Sequence, residues 1–197
     1  MNRVRAGLTL IEVAIVIALV ALVVGFMLSN IDFARFRLDA ATRSVQNMII
    51  GAQTTAVQRN RPVILTFMYN QSQFRTVVDL NFDGIWTPSA NEVRVWRTIP
   101  AGATFAIPPT TIDGATPYYA TGPGLKYINA TGQTATCMTC PTLTLYPNGS
   151  SSGDVVVYLG STSGRSSDYR AIQVYGSTSK VHIWRMNSGG AWTQSNL

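Results

Sequence analysis

From Leu8 to Leu28 the chain carries one charged group, Glu12, and from residue 13 to residue 28 it carries none. A run of that kind cannot lie on the surface of a small water-soluble domain. As a helix it spans roughly 31 Å, close to the hydrocarbon thickness of a bilayer. Arg3 and Arg5 precede it and no acid does, so the amino end is expected on the cytoplasmic side with the remainder exported. A secretory signal peptide would have a shorter apolar region closed by a small-x-small cleavage site. Here the run passes directly into "SNIDFARFRLDAATRSVQNMIIGAQTTAVQRNRP".

That continuation has helical periodicity. Ala34, Leu38, Ala41, Val45, Met48, Ala52 and Ala56 recur at intervals of three and four, with Arg35, Arg37, Asp39, Arg43, Gln46 and Gln53 between them. Pro62 marks the stop. The spacing predicts one helix from about Leu8 to Arg59, transmembrane over 8–28 and amphipathic over 29–61.

From residue 62 to residue 197 the periodicity switches to two, and Gly, Ser, Thr, Asn and aromatic residues become frequent, as in exported β domains. Candidate strands are "VILTFMY" (63–69), "QFRTVVDL" (73–80), "EVRVWRTI" (92–99), "ATFAI" (103–107), "LTLY" (143–146), "DVVVYL" (154–159), "YRAIQVY" (169–175) and "KVHIWRM" (180–186). Two antiparallel sheets are expected, with Pro108–Asn129 as a surface loop. The fold class is therefore α+β: a long N-terminal helix packed on a two-sheet antiparallel β domain.

A short basic leader, the hexapeptide "GLTLIE" (Gly7 to Glu12), an apolar run and a β domain together resemble the type IV pilins and pseudopilins. The resemblance implies a pilin-like fold and a leader at residues 1–7. Prepilin peptidase would cut between Gly7 and Leu8, and the new Leu8 amine would be methylated. It also implies an explanation for Glu12. A carboxylate in hydrocarbon costs about 3 kcal/mol on insertion scales. In a filament it would meet the Leu8 amine of a neighbouring subunit, so the charge acts as an assembly and registry device. Gly25 is present but no proline precedes Pro62, whereas major pilins often carry both in this segment; a minor subunit fits better.

"LYPNGSSSGDVVVYLG" and "RAIQVYGSTSKVHIWR" resemble the GspH/FimT group of minor pilins and pseudopilins. The implied partners are other pilins or pseudopilins in a filament, prepilin peptidase and the bacterial inner membrane. The implied location is single-pass, with the C-terminal domain periplasmic and, after assembly, part of a pilus or type II secretion pseudopilus. The alternative is a DNA-binding minor pilin acting as receptor in natural transformation. FimT-like proteins bind DNA through Gly-Arg-x-Arg on the last hairpin. Aligned there, Ser179 takes the glycine place, and Lys180 and His182 the arginine places. Arg170 and Arg185 are candidate neighbours, and DNA a candidate partner. Of the aligned pair only Lys180 is charged at neutral pH.

"DLNFDG" (Asp79 to Gly84) opens like an EF-hand loop, but its twelfth position is Ala90 and Glu92 stands two beyond. A hairpin loop whose Asp and Asn side chains bond their own backbone is the expected reading, and no metal site is assigned. Cys137 and Cys140, in "CMTC", have neither the further thiols of a zinc site nor the following His of a haem attachment. In an exported domain they are expected to form a disulfide. With a single histidine, no Gly-x-Ser-x-Gly elbow and no phosphate- or dinucleotide-binding motif, no enzyme activity and no cofactor are expected.

Overall fold

The computed structural model describes residues 9–30, 33–68, 71–87, 92, 94–112, 124–128, 133–162 and 168–195. It is α+β, with two helices and two antiparallel sheets of five strands each. The chain divides into two compact units, Met1–Phe33 and Ala34–Leu197. Helix α1 (Leu10–Asn30) belongs to the first; α2 (Phe33–Arg59), apart from its first residue, and all the strands belong to the second. The helix expected from 8 to 59 is thus described as two stretches, and residues 8, 31 and 32 lie outside the described ones.

Of the stripe read from the sequence, Leu38, Ala41, Val45, Ala52 and Ala56 are in the core, Met48 packs half-buried against it and Ala34 is half-buried; Ile49, outside that stripe, is in the core as well. Thr42 is also buried, and its hydroxyl donates to the Leu38 carbonyl, so its polar atom is satisfied within the helix. The helix ends where Asn60 turns left-handed, at φ 50°. The Asn60 amide then bonds the Val57 carbonyl at 3.3 Å and the Arg61 amide the Ala56 carbonyl at 3.1 Å, a Schellman cap followed by Pro62.

The strands are β1 (Val63–Met68), β2 (Gln73–Val78), β3 (Arg94–Thr98), β4 (Ala103–Phe105), β5 (Gly124–Ile128), β6 (Thr134–Leu145), β7 (Val155–Ser161), β8 (Tyr169–Val174), β9 (Val181–Met186) and β10 (Trp192–Ser195). Sheet one has the order β3-β2-β1-β6-β5, and sheet two β10-β9-β8-β7-β4. Alternation sends Val63, Leu65, Phe67, Leu143 and Leu145 of sheet one, and Val155, Val157, Leu159, Ile172 and Val174 of sheet two, into one core with α2. Phe67, Phe74 and Phe105 meet edge to face there, with centroids 5.1 to 6.2 Å apart. The opposite face of each sheet carries a smaller cluster roofed by tryptophan. On sheet one it is Ile64, Val77 and Cys140 with Trp86; on sheet two it is Ile112, Val156, Tyr158 and Ala171 with Trp184 and Trp192.

Three elements depart from the expected pattern. The expected loop Pro108–Asn129 contains β5, although residues 113–123 and 129 lie outside the described ones. β6 begins at Thr134 rather than at Leu143, because "TATCMTC" alternates too weakly in polarity to read as a strand and is held by pairing with β5. β10, with Trp192 as its one large apolar residue, is held by its ladder to β9. Near β3, Glu92 turns out of the strand expected over 92–99 and into the preceding loop.

The burial contrast along α2 and β6 fixes expectations for two truncations. Leu143→Ala should lower unfolding free energy by about 2–5 kcal/mol, whereas Ile50→Ala, on the exposed face of α2, should stay within about 0.5 kcal/mol. Urea unfolding followed by tryptophan fluorescence checks both.

Candidate functional site

In α1, every described side chain from Leu10 to Phe26 is exposed, Leu10 at 89% and Phe26 at 68%. Glu12 lies in the first turn. Its Oε2 accepts the Thr9 amide at 2.8 Å and the Thr9 hydroxyl at 3.0 Å, while its own amide reaches the Thr9 Oγ1 at 3.4 Å. Thr9 and Glu12 therefore form a capping box that satisfies the free amides at the helix start. The Thr-x-x-Glu spacing of that motif is legible in "TLIE" itself. Gly7 and Leu8 lie outside the described residues.

At the last hairpin, the four candidate DNA-contacting residues divide between two faces. The register pairs Arg170 with Arg185 and Gln173 with His182. Arg170 and Arg185 sit on the core face of sheet two, and His182 with Trp184 on the outer face. Arg170 is 2% exposed. Its Nε donates to Asp39 Oδ1 of α2 at 2.6 Å, and Arg185 Nη2 donates to Asp39 Oδ2 at 3.1 Å. Arg35 Nε likewise donates to buried Asp168 at 3.0 Å. The expected grouping of Arg170 and Arg185 with Lys180 is therefore corrected: these two cations clamp α2 to sheet two. Lys180 remains exposed at the turn. His182 Nδ1 lies 3.1 Å from Gln194 Nε2, and the ring packs edge-on against Tyr175 at 5.2 Å. Ser179, at the aligned glycine place, has φ 49°, a left-handed backbone that favours glycine.

The loop after β2 folds on itself as the Asp/Asn pattern implies. Asp79 accepts the Phe82 and Gly84 amides at 2.7 and 2.9 Å, and Asp83 accepts the Ile85 amide at 2.7 Å and the Asn81 side chain at 2.7 Å. Glu92 returns to this loop and accepts the Leu80 and Thr87 amides at 3.2 and 2.7 Å. Carboxylate oxygens of Asp79, Asp83 and Glu92 lie within 4.8 Å of one another, the spacing at which a divalent cation can be held. Each of the six oxygens already accepts a hydrogen bond, so the trio works first as the internal scaffold of the loop. Burial, and the nearby Asp79 and Asp83 charges, hold the Glu92 carboxyl above its ordinary range against the two amide bonds. Cys137 and Cys140 are joined by a disulfide within β6.

Among the described residues no helix is long and apolar enough to cross a membrane; the described side chains of α1 end at Phe26. No family model, curated protein or solved structure matches the chain.

Asp39→Ala would leave the buried Arg170 guanidinium unpaired. It should cost about 3–5 kcal/mol of stability in chemical denaturation, while Lys180→Ala should cost less than about 0.5 kcal/mol. A second expectation concerns Glu92. Its raised pKa means that the folded state retains a proton which the unfolded chain releases, so this group's stabilising contribution is present at low pH and lost as pH rises past 4.5 and through the folded value. Denaturation midpoints taken across that window for wild type and Glu92→Gln should differ in slope with this sign.

Proposed function

We propose that the chain is a minor type IV pilin or pseudopilin, anchored in the bacterial inner membrane by the Leu8–Leu28 segment. In this reading prepilin peptidase removes residues 1–7, and the processed chain assembles into a pilus or a type II secretion pseudopilus. The observation that carries the reading is the exposed apolar surface of α1. The domain core draws on residues from Leu38 onward, and apolar surface of this extent left outside a core needs lipid or another protein to cover it. A filament supplies neighbouring helices, and a membrane supplies lipid before assembly. The leader, the "GLTLIE" junction and Glu12 fit the same account.

Glu12 then has two separable tasks. Both capping bonds fall on Oε2, which leaves Oε1 for the Leu8 amine of an adjacent subunit. The competing DNA-receptor reading is not favoured, because Arg170 and Arg185 are both held by Asp39. One exposed lysine is a weak phosphate-binding surface.

The test separates cap from charge. Glu12→Gln keeps an N3 residue that completes the capping box but removes the ionic group. In cells with active prepilin peptidase, wild type and variant should both show loss of residues 1–7 by mass spectrometry. Filament incorporation should be lost in the variant. An unprocessed wild-type chain, or a Glu12→Gln chain that incorporates as well as wild type, would overturn the proposal.

A further inference from the structure

Strand β3 is the end strand of sheet one, and among the described residues it pairs on one side, with β2. All five of its residues are exposed. The two faces of this edge are furnished differently. On the core side, Val95 and Arg97 border a cleft of about 330 Å³ between β3 and α2, lined by Met48, Ala52 and Arg59 of the helix and by Val63 and Val78 of the sheet. On the outer side, Arg94 and Arg75 share two indoles. Arg75 lies 4.0 Å from the Trp96 centroid and 5.4 Å from that of Trp86; Arg94 lies 4.4 Å from Trp86 and 4.9 Å from Trp96.

Two guanidiniums this close repel each other. Burial and the neighbouring Arg94 hold Arg75 down to about 10. Among the described residues neither has a carboxylate in ion-pairing range. Arg75 is 8% exposed; its Nη2 donates to the Met68 thioether at 3.6 Å, a weak acceptor, and its Nε has no hydrogen-bond partner. Arg94 is exposed with both indoles against its guanidinium, and an exposed guanidinium of this kind can grip a carboxylate through its in-plane N–H groups.

We propose that β3 is a docking strand, to which an extended acidic segment of a partner protein adds as a further strand of sheet one, setting an apolar side chain into the cleft beside Val95 and a carboxylate against Arg94. An added strand alternates its side chains between the two faces, which is the alternation that an apolar cleft on one face and a cationic platform on the other would read. Main-chain hydrogen bonds along the edge supply affinity, and the two side-chain sites supply specificity. Charged residues on an edge strand also discourage indiscriminate pairing. That role alone needs neither the cleft beside Val95 nor an Arg75 that stacks on Trp96 without a carboxylate. Arg59, Arg94 and Arg97 together exclude basic segments and admit acidic ones.

The experiment uses the full-length chain in detergent micelles and fluorescence anisotropy. The probe is a labelled synthetic peptide alternating Glu and Val; the controls are its Lys-Val counterpart and versions N-methylated at alternate amides in either register. Saturable binding of the Glu-Val peptide is expected, weakened about tenfold or more by Arg94→Glu and by Arg97→Glu. It should be absent for the Lys-Val peptide and for at least one N-methylated register. Circular dichroism of the two variants should match wild type, since both side chains are exposed. No binding to the wild type, equal binding of the Lys-Val peptide, binding that survives N-methylation in both registers, or binding unchanged in both variants would each overturn the proposal. Displacement of the Glu-Val peptide by a single-stranded oligothymidine with equal affinity would also overturn it, assigning the face to nucleic acid.

Discussion

Burial of one face of α2 against the inner faces of both sheets is the constraint on which the domain depends. Each sheet turns a row of large apolar side chains the same way, and no strand-to-strand ladder removes that surface from water. A helix with Ala41, Ala52 and Ala56 among its contacts can lie close to both sheets, while Leu38, Val45 and Ile49 fill the space between. Ionic and backbone locks complete the fit. Asp39 bridges Arg170 and Arg185, offsetting part of the repulsion between two guanidiniums set opposite each other on a core face. At the other end, the Schellman turn at Asn60 and Arg61 delivers the chain into β1.

Length, polarity and capping divide the two helices into different kinds of object. α2 buries its stripe and leaves its polar face wet, the ordinary amphipathic solution. α1 has no polar face among its described side chains apart from Glu12, and those side chains are all exposed.

The sequence was most informative where one period dominates. The stripe from Leu38 to Ala56, the stop before Pro62, and the strands β1, β2, β7, β8 and β9 all have strong local patterns, and the structure places elements at each. It was least informative where stability comes from pairing partners distant in sequence. β5 and the first half of β6 support each other across a register shift between Gly124 and Leu125, which no local window can display. The split of the last hairpin follows from alternation, since Lys180 and His182 differ in parity from Arg185. The missing information was Asp39, more than a hundred residues away, which draws Arg170 into the interior and holds the half-exposed Arg185 beside it. The Asp79–Gly84 loop behaved as its Asx chemistry implies, yet the return of Glu92 onto it required the folded chain.

The tryptophans explain why the two outer sheet faces, built alike, differ in chemistry. On sheet two, Trp184 donates its indole N–H to Gln173 and Trp192 donates to the Thr110 carbonyl, so both roof their cluster with polar edges satisfied inside the domain. On sheet one, Trp86 and Trp96 roof a surface that contains Arg75 and Arg94. Cation–π contact offsets part of the cost of holding two like charges together, but it gives the guanidiniums no carboxylate, and Arg75 has only the weak Met68 Sδ acceptor for its Nη2. An outer face that only needed covering would be built as sheet two's is, with neutral partners. Retaining two cations beneath indoles, at the edge strand and beside an apolar cleft, is a costlier arrangement whose electrostatic deficit is removed when an anion arrives.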